Sequence, residues 1–125
     1  MKLAIIGSRT FDDEYLLDST LRRYWGPDQV EGGSDEGPYI DEIVSGGAKG
    51  ADQLGAQWAK KNDVKLIEFI PDWDKYVKRA GFLRNEDIIK ASTFVLAFWS
   101  GVSKGTGHSL SIAKRLKKPT LIVYF

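Results

Sequence analysis

Apolar runs alternating with segments of helical period predict an α/β fold for this chain of 125 residues. The runs have strand length, and most pass through a Gly-, Ser- or Pro-containing turn into a polar segment. Right-handed crossovers between successive strands then predict one three-layer domain spanning residues 1–125. Its parallel five-stranded sheet has the order 3-2-1-4-5, with helices on both faces. The topological switch of that order lies between the first and fourth strands. Open sheets of this kind bind ligands there, outside the carboxyl ends of the strands.

Each element has its own signal. "LAIIG" (Leu3 to Gly7) reads as a buried first strand. "DDEYLLDSTLRRYW" follows as a helix, with Leu16, Leu17, Leu21 and Tyr24 at helical spacing and Asp12 or Asp13 as its cap. "GPDQVEGGSDEGP" (Gly26 to Pro38) lacks periodicity and reads as an exposed loop. "YIDEIVSG" is the second strand and "GADQLGAQWAKKND" the second helix, with Ala51, Leu54 and Trp58 on one face. "VKLIEFI" is the third strand, followed by the irregular "PDWDKYVKRAG". "FLRNEDIIKAS" predicts a short third helix, "TFVLAFW" the fourth strand, "GTGHSLSIAKRLKK" the last helix and "PTLIVYF" the fifth strand. There is no internal repeat and no low-complexity tract.

Composition narrows the function classes. Hydrophobic residues make up 42% and charged residues 28%, ordinary for a soluble globular protein. The formal net charge of +1 gives no global pull toward nucleic acid or anionic membrane, and so speaks against a nucleic-acid partner. The absence of cysteine excludes disulfides, thiolate nucleophiles and cysteine-ligated metal, and suits the cytoplasm. "MKLAIIGSRT" is too short an apolar run for a signal peptide, and no run approaches the ~20 residues that span a bilayer. A soluble cytoplasmic protein is expected. With one histidine, His108, and no clustered carboxylates, no metal site is predicted, and no cofactor is called for.

The residues after the strands carry the chemistry. They are "GSRT" (Gly7 to Thr10), "SGGAKGAD" (Ser45 to Asp52), "PDW" (Pro71 to Trp73) and "WSGVSKGTGHS" (Trp99 to Ser109). Glycines let backbone N–H groups approach an anion, and a following helix aims its positive end at the same spot. "GGAKGAD" and "SKGTGHS" both open helices, and each holds a lysine. Ser8, Thr106 and Ser109 offer hydroxyl donors, and Arg9 offers a guanidinium fork for a phosphate. One such turn is equally well explained as a strand-to-helix connection. Two on the same sheet edge, with "GSR" beside them, favour a phosphate clamp holding a nucleotide or nucleotide-derived ligand. Neither is a P-loop, since "GGAKGAD" lacks the Gly-Lys-Ser/Thr ending, and "GSRTFD" does not match the dinucleotide fingerprint.

Other residues have two readings. His108 lines the pocket or caps the last helix; without a nucleophile elbow a serine triad does not fit. Trp73 and Tyr76 lie just past a strand end, where stacking on a base or an interface outweighs a core role. Trp58 has core spacing. Arg84, Asn85 and Glu86 either reach the site or form a charged helix start. "KRLKK" (Lys114 to Lys118) is a nucleic-acid patch or, more simply, a last turn whose cations offset the helix dipole.

Taken together, "MKLAIIGSRTFDD", "IVSGGAKGAD", "PDWDKYVKRAGFLRNEDII" and "AFWSGVSKGTGHS" resemble the YspA-like, cpYpsA-related branch of the SLOG superfamily, found in bacteria and phages. The resemblance implies a Rossmann-like fold that binds nucleotides or their derivatives, as a sensor or binding module. It also brings two alternatives, a lonely-guy-type phosphoribohydrolase and a DNA-processing protein that binds single strands. Relatives often pair through helices, so the resemblance leaves a homo-oligomer open beside a monomer. By this likeness Gly7, Ser8, Arg9, Gly46, Gly47, Gly50, Asp52, Arg84, Asn85, Gly105 and Thr106 are binding positions. The strand-end reading adds Ser45, Lys49, Trp73, Ser103, Lys104 and His108. The phosphoribohydrolases carry a catalytic glutamate in a Gly-Gly-x-Gly-Thr-x-x-Glu pattern. Here Ser109 stands in its place and cannot act as a carboxylate acid or base. Whether the chain is an enzyme stays open, and Arg84 with Glu86 are the alternative catalytic pair.

Overall fold

The protein is described here from a computed structural model, covering residues 1–26, 40–71, 74 and 79–125. The strands are β1 (Lys2–Gly7), β2 (Glu42–Ser45), β3 (Lys65–Glu68), β4 (Phe94–Trp99) and β5 (Thr120–Tyr124). The helices are α1 (Glu14–Trp25), α2 (Ala51–Lys61), α3 (Ala80–Ala91) and α4 (Lys104–Arg115). All strand pairs are parallel and the order is β3-β2-β1-β4-β5, as the sequence predicts.

The layers follow from the two-residue period of the strands. Leu3 and Ile5 of β1, Ile43 of β2, and Leu96 and Phe98 of β4 face one side. There they pack with Leu17 and Leu21 of α1 and with Ala51 and Ala59 of α2. Their neighbours Ala4, Ile6, Val44, Val95 and Ala97 face the other side, against Ile88 and Ile89 of α3 and Ile112 and Ala113 of α4. The interior positions of the three central strands are therefore apolar on both faces, as expected for a parallel sheet covered on both sides. Phe98 anchors the first layer, stacked on Phe11 with ring centroids 4.4 Å apart.

Several elements differ in extent from the sequence reading, for reasons of pairing. β2 starts at Glu42 because its partner there is Lys2, where β1 itself starts. β3 stops at Glu68 because it is registered against Ser45, where β2 ends. α3 takes in Ala80 and Gly81 from the segment read as irregular, and ends where Ser92 turns extended (φ −101°, ψ 155°). α4 starts at Lys104, with Ser103 as N-cap. Asp13 is the cap of α1, its side chain accepting from the Leu16 amide at 2.9 Å. The loop predicted around 26–38 lies almost wholly outside the described residues.

This layering predicts unequal costs of truncation. Phe98→Ala should destabilise the protein by about 3–5 kcal/mol. Tyr15→Ala, at a position 82% exposed, should stay within about 0.5 kcal/mol in urea denaturation.

Candidate functional site

The switch point between β1 and β4 opens into a cavity of about 520 Å³, lined by the loops after both strands and by α2, α3 and α4. Two close approaches shape it. A Cβ on Gly7 would stand 2.3 Å from the Phe98 carbonyl oxygen and 2.6 Å from Ala51 Cβ. Only glycine lets the end of β1 pass between β4 and α2. Gly50 has φ +87°, and a Cβ there would lie 2.3 Å from the Ser8 carbonyl oxygen, so α2 begins directly against the β1–α1 loop.

Hydrogen bonds then tie the two strand-end loops together. The Ser8 amide donates to the Phe98 carbonyl at 2.9 Å. Ser8 Oγ accepts from the Ser100 amide at 3.1 Å and lies 3.3 Å from Ser100 Oγ, which accepts from the Val102 amide at 3.4 Å. Trp99 Nε1 donates to the Ser103 carbonyl at 3.1 Å, fixing the residue that caps α4. Trp99 is thus a brace of this loop.

The two Gly-rich helix starts are not equivalent. In the loop before α2 the donors are already used. The Gly47 amide donates to Ser45 Oγ at 3.3 Å, and the Ala48 amide to Asp52 Oδ2 at 3.4 Å. The Gly46 amide also donates to the Asp52 carboxylate. Ser45 Oγ donates to the Asp52 carbonyl at 3.0 Å and is fully buried. Asp52 is only 6% exposed, so the anion in this cradle is the protein's own. Neither helix has a side-chain cap, but the first turn of α4 carries no acidic residue where that of α2 carries Asp52. The first N–H groups of a helix have no intrahelical partner, and at α4 they sit beside Gly105 and the buried Thr106 on the cavity wall.

Arg84 reaches this site from α3. Its Nη1 donates to the Gly46 carbonyl at 2.8 Å and its Nε to Asn85 Oδ1 at 3.1 Å. Two of the five guanidinium N–H groups are thereby engaged, leaving three for a ligand. Burial pushes Arg84 below its ordinary value, with the Asp52 carboxylate opposing that shift and Arg9 adding to it. Burial pushes Asp52 up to about 6, against the opposing pull of Arg84, the Ala48 and Gly46 amides and Arg9.

The cavity gathers Gly7, Ser8, Arg9, Asp52, Arg84, Asn85, Ser103, Gly105 and Thr106 from the expected set. It adds Thr10, Ser100, Val102 and Ser109. Ser100 is the residue that sequence reasoning passed over, although its place directly after a strand beside the switch point was the available signal. Ser45, Gly46, Gly47 and Gly50 shape the α2 start without lining the cavity, and Lys49 and Lys104 are exposed outside it. His108 sits behind Asn85, its Nδ1 3.5 Å from Asn85 Nδ2 and its ring edge-on to Phe82 at 4.7 Å. Trp73 and Tyr76 lie outside the described residues.

Glu86 does not join Arg84 at the cavity. It pairs with Lys90 and with Arg115, each at 3.3 Å. The reason is helical geometry: residues two apart point to opposite sides of a helix. Among the described residues, Asp52 is the one carboxylate lining the cavity. Among the described residues, no three of His, Cys, Asp and Glu gather closely enough to hold a metal ion. Nor is any described helix long and apolar enough to cross a membrane. A larger groove of about 900 Å³ lies between α1 and α2. It runs along the helix flank, away from the strand ends and from any open helix start, and Asp18 within it is held by Arg22 and Trp58.

The raised Asp52 value sets a pH dependence of stability. From the ordinary 3.8 to about 6, the folded state holds a proton that the unfolded state has released. This group's contribution therefore declines as pH rises through that window and is level above it. Carbon-detected NMR of the Asp52 carboxyl should show a midpoint about 6. Urea denaturation of wild type and Asp52→Asn should diverge across the same window, with wild type losing stability relative to the variant as pH rises.

Comparison with known proteins adds to this geometry. The YspA, cpYpsA-related SLOG family (YAcAr) matches residues 1–76. The gene 61 protein of Mycobacterium phage D29 is 31% identical over 126 residues, covering 96% of this chain and 94% of the phage protein. Two solved structures share the fold. DNA processing protein A from Streptococcus pneumoniae superposes with a TM-score of 0.71 at 19% identity, over 97% of this chain and 49% of that one. DNA processing protein A from Helicobacter pylori, solved for its single-stranded DNA binding mode, gives 0.67 at 22% identity, over 98% of this chain and 64% of that one. The chain thus spans about half and just under two thirds of these two proteins. These likenesses correct the expectation that near-neutral charge speaks against a nucleic-acid partner. A protein of this fold binds single-stranded DNA, and net charge averages over a surface whose cavity holds its own local excess of cations. Matched by the family model over more than half its length, and by the phage relative over nearly all of it, the chain belongs to the YspA, cpYpsA-related SLOG family.

Proposed function

We propose that the cavity between β1 and β4 binds the phosphate of a nucleotide unit. The observation that carries this reading is the asymmetry of the two helix starts. The first turn of α4 holds no acidic residue and shares the cavity with Arg9 and Arg84, whereas the first turn of α2 holds the buried Asp52. Backbone N–H groups at a helix start, two guanidiniums and the hydroxyls of Ser8, Ser103 and Thr106 form a donor set suited to phosphate oxygens. A volume of about 520 Å³ leaves room for sugar and base beside the phosphate.

The nucleotide unit has two sources, a free nucleotide and a single strand of DNA. The rim favours the strand. Val102, on the cavity wall, is 84% exposed, and Phe82, edge-on to the His108 ring behind Asn85, is 56% exposed. Exposed apolar faces beside a phosphate site suit unstacked bases. The fold shared with the DNA processing proteins supports the same source.

Fluorescence anisotropy with an oligothymidylate of about 20 nucleotides, and calorimetry with AMP, separate the two. Arg84→Ala should weaken either ligand by roughly tenfold or more. Phe82→Ala should weaken the oligonucleotide by about tenfold while leaving AMP within about threefold. No binding of either ligand at low salt would defeat the proposal. Binding of AMP alone would assign the site to free nucleotides.

A further inference from the structure

We infer that Asp52 sets the charge class of the ligand: its carboxylate, seated in the α2 cradle, admits one phosphate group and rejects two adjacent ones. The inference rests on the phosphate reading above and deepens it. Among the described residues, three charged ones line the cavity, the two guanidiniums of Arg9 and Arg84 and the carboxylate of Asp52, a side-chain balance of +1. The α4 start adds roughly half a positive charge on the Arg84 side, while at the α2 start a similar half charge is outweighed by the full negative charge of Asp52. The field is therefore positive where one phosphate sits beside Arg84 and α4, and negative where an adjacent phosphate extends toward α2.

Position makes the effect directional. Asp52 Oδ2 and Arg84 Nη1 stand 2.8 Å and 2.9 Å from the one point where a Gly46 side chain would begin. The carboxylate therefore flanks the guanidinium on its α2 side. A phosphate drawn to Arg84 and α4 carries its next phosphate either toward solvent or toward α2. The α2 path ends on a fixed negative charge whose surrounding amides are already donated to Ser45 and Asp52. Two anions meeting in a partly buried site repel far more than they would in water. With Asp52 neutral, the same amides and the α2 dipole would instead attract the second phosphate.

The test uses the whole protein and two probes whose phosphates keep their charge across the pH range. Adenylyl-adenosine holds one diester phosphate, and diadenosine diphosphate holds two adjacent ones. Calorimetry at about pH 7.5 should favour the single-phosphate probe by roughly tenfold in wild type. In Asp52→Asn that preference should shrink to within about twofold, through tighter binding of the diphosphate probe. Asp52→Glu should retain it. Should Asp52→Asn not fold, wild type measured at about pH 5 supplies the neutral carboxyl, and the preference should shrink there too. Arg84 and Arg9 face Asp52 across the cavity, Lys49 and Glu68 stand beyond the α2 start, and His108 reaches Arg84 through Asn85. The pH comparison is therefore repeated in His108→Gln, where that imidazole is absent. Binding of both probes with a ratio that Asp52→Asn and low pH leave unmoved would overturn this inference while the phosphate reading stands. Failure of every probe to bind would overturn both.

Discussion

The end of β1 is the point on which the site depends. Gly7 passes between the Phe98 carbonyl and Ala51, and Gly50 seats the start of α2 against the Ser8 carbonyl. Both contacts are backbone approaches that no side chain permits, so strand, neighbouring strand and helix are locked at one place. Ser8 and Ser100 then pin the two loops that diverge from β1 and β4. The cavity is the space left where those loops part, which is why it lies at the topological switch and at the carboxyl ends of the strands.

From that locking follows the inequality of the helix starts. Drawing α2 against the β1–α1 loop places Asp52, in its first turn, beneath the loop that precedes it. The Ala48 amide donates to the Asp52 carboxylate, and burial denies that carboxylate water. The result is a satisfied cradle with an internal anion. At α4 the first turn carries Lys104, Gly105 and Thr106, none of which supplies a carboxylate. Its N–H groups and dipole remain directed at the cavity. Similar glycine-rich sequences thus have opposite electrostatic roles, and the difference comes down to one aspartate.

Arg84 links the two halves. It takes the Gly46 carbonyl at one side and presents its remaining donors to the cavity at the other. Asn85 steadies it from α3 and is itself backed by His108 and Phe82. Conserving the guanidinium charge in a half-buried place requires a nearby carboxylate, and Asp52 provides it without a direct ion pair. Fold support and the proposed ligand preference therefore rest on the same side chain.

Local pattern alone was enough to determine the sheet, its order, the helices and the edge on which the site lies. Alternating apolar residues such as Leu3-Ala4-Ile5-Ile6 and Val95-Leu96-Ala97-Phe98 show a strand buried on both faces. Crossover handedness then leaves one economical order. Gly, Ser and Arg after the first and fourth strands marked the cavity residues for the same reason. Strand limits were decided by register, because a ladder ends where the partner strand ends, and no sequence period records that. Which glycine-rich turn stays open was decided only in three dimensions. Asp52 folds back onto its own loop, and that contact depends on how closely α2 approaches Ser8. The separation of Arg84 from Glu86 lay between these cases. A spacing of two on a helix already argued against a shared face, but the partners that hold Glu86 aside, Lys90 and Arg115, meet it only when α3 and α4 pack side by side.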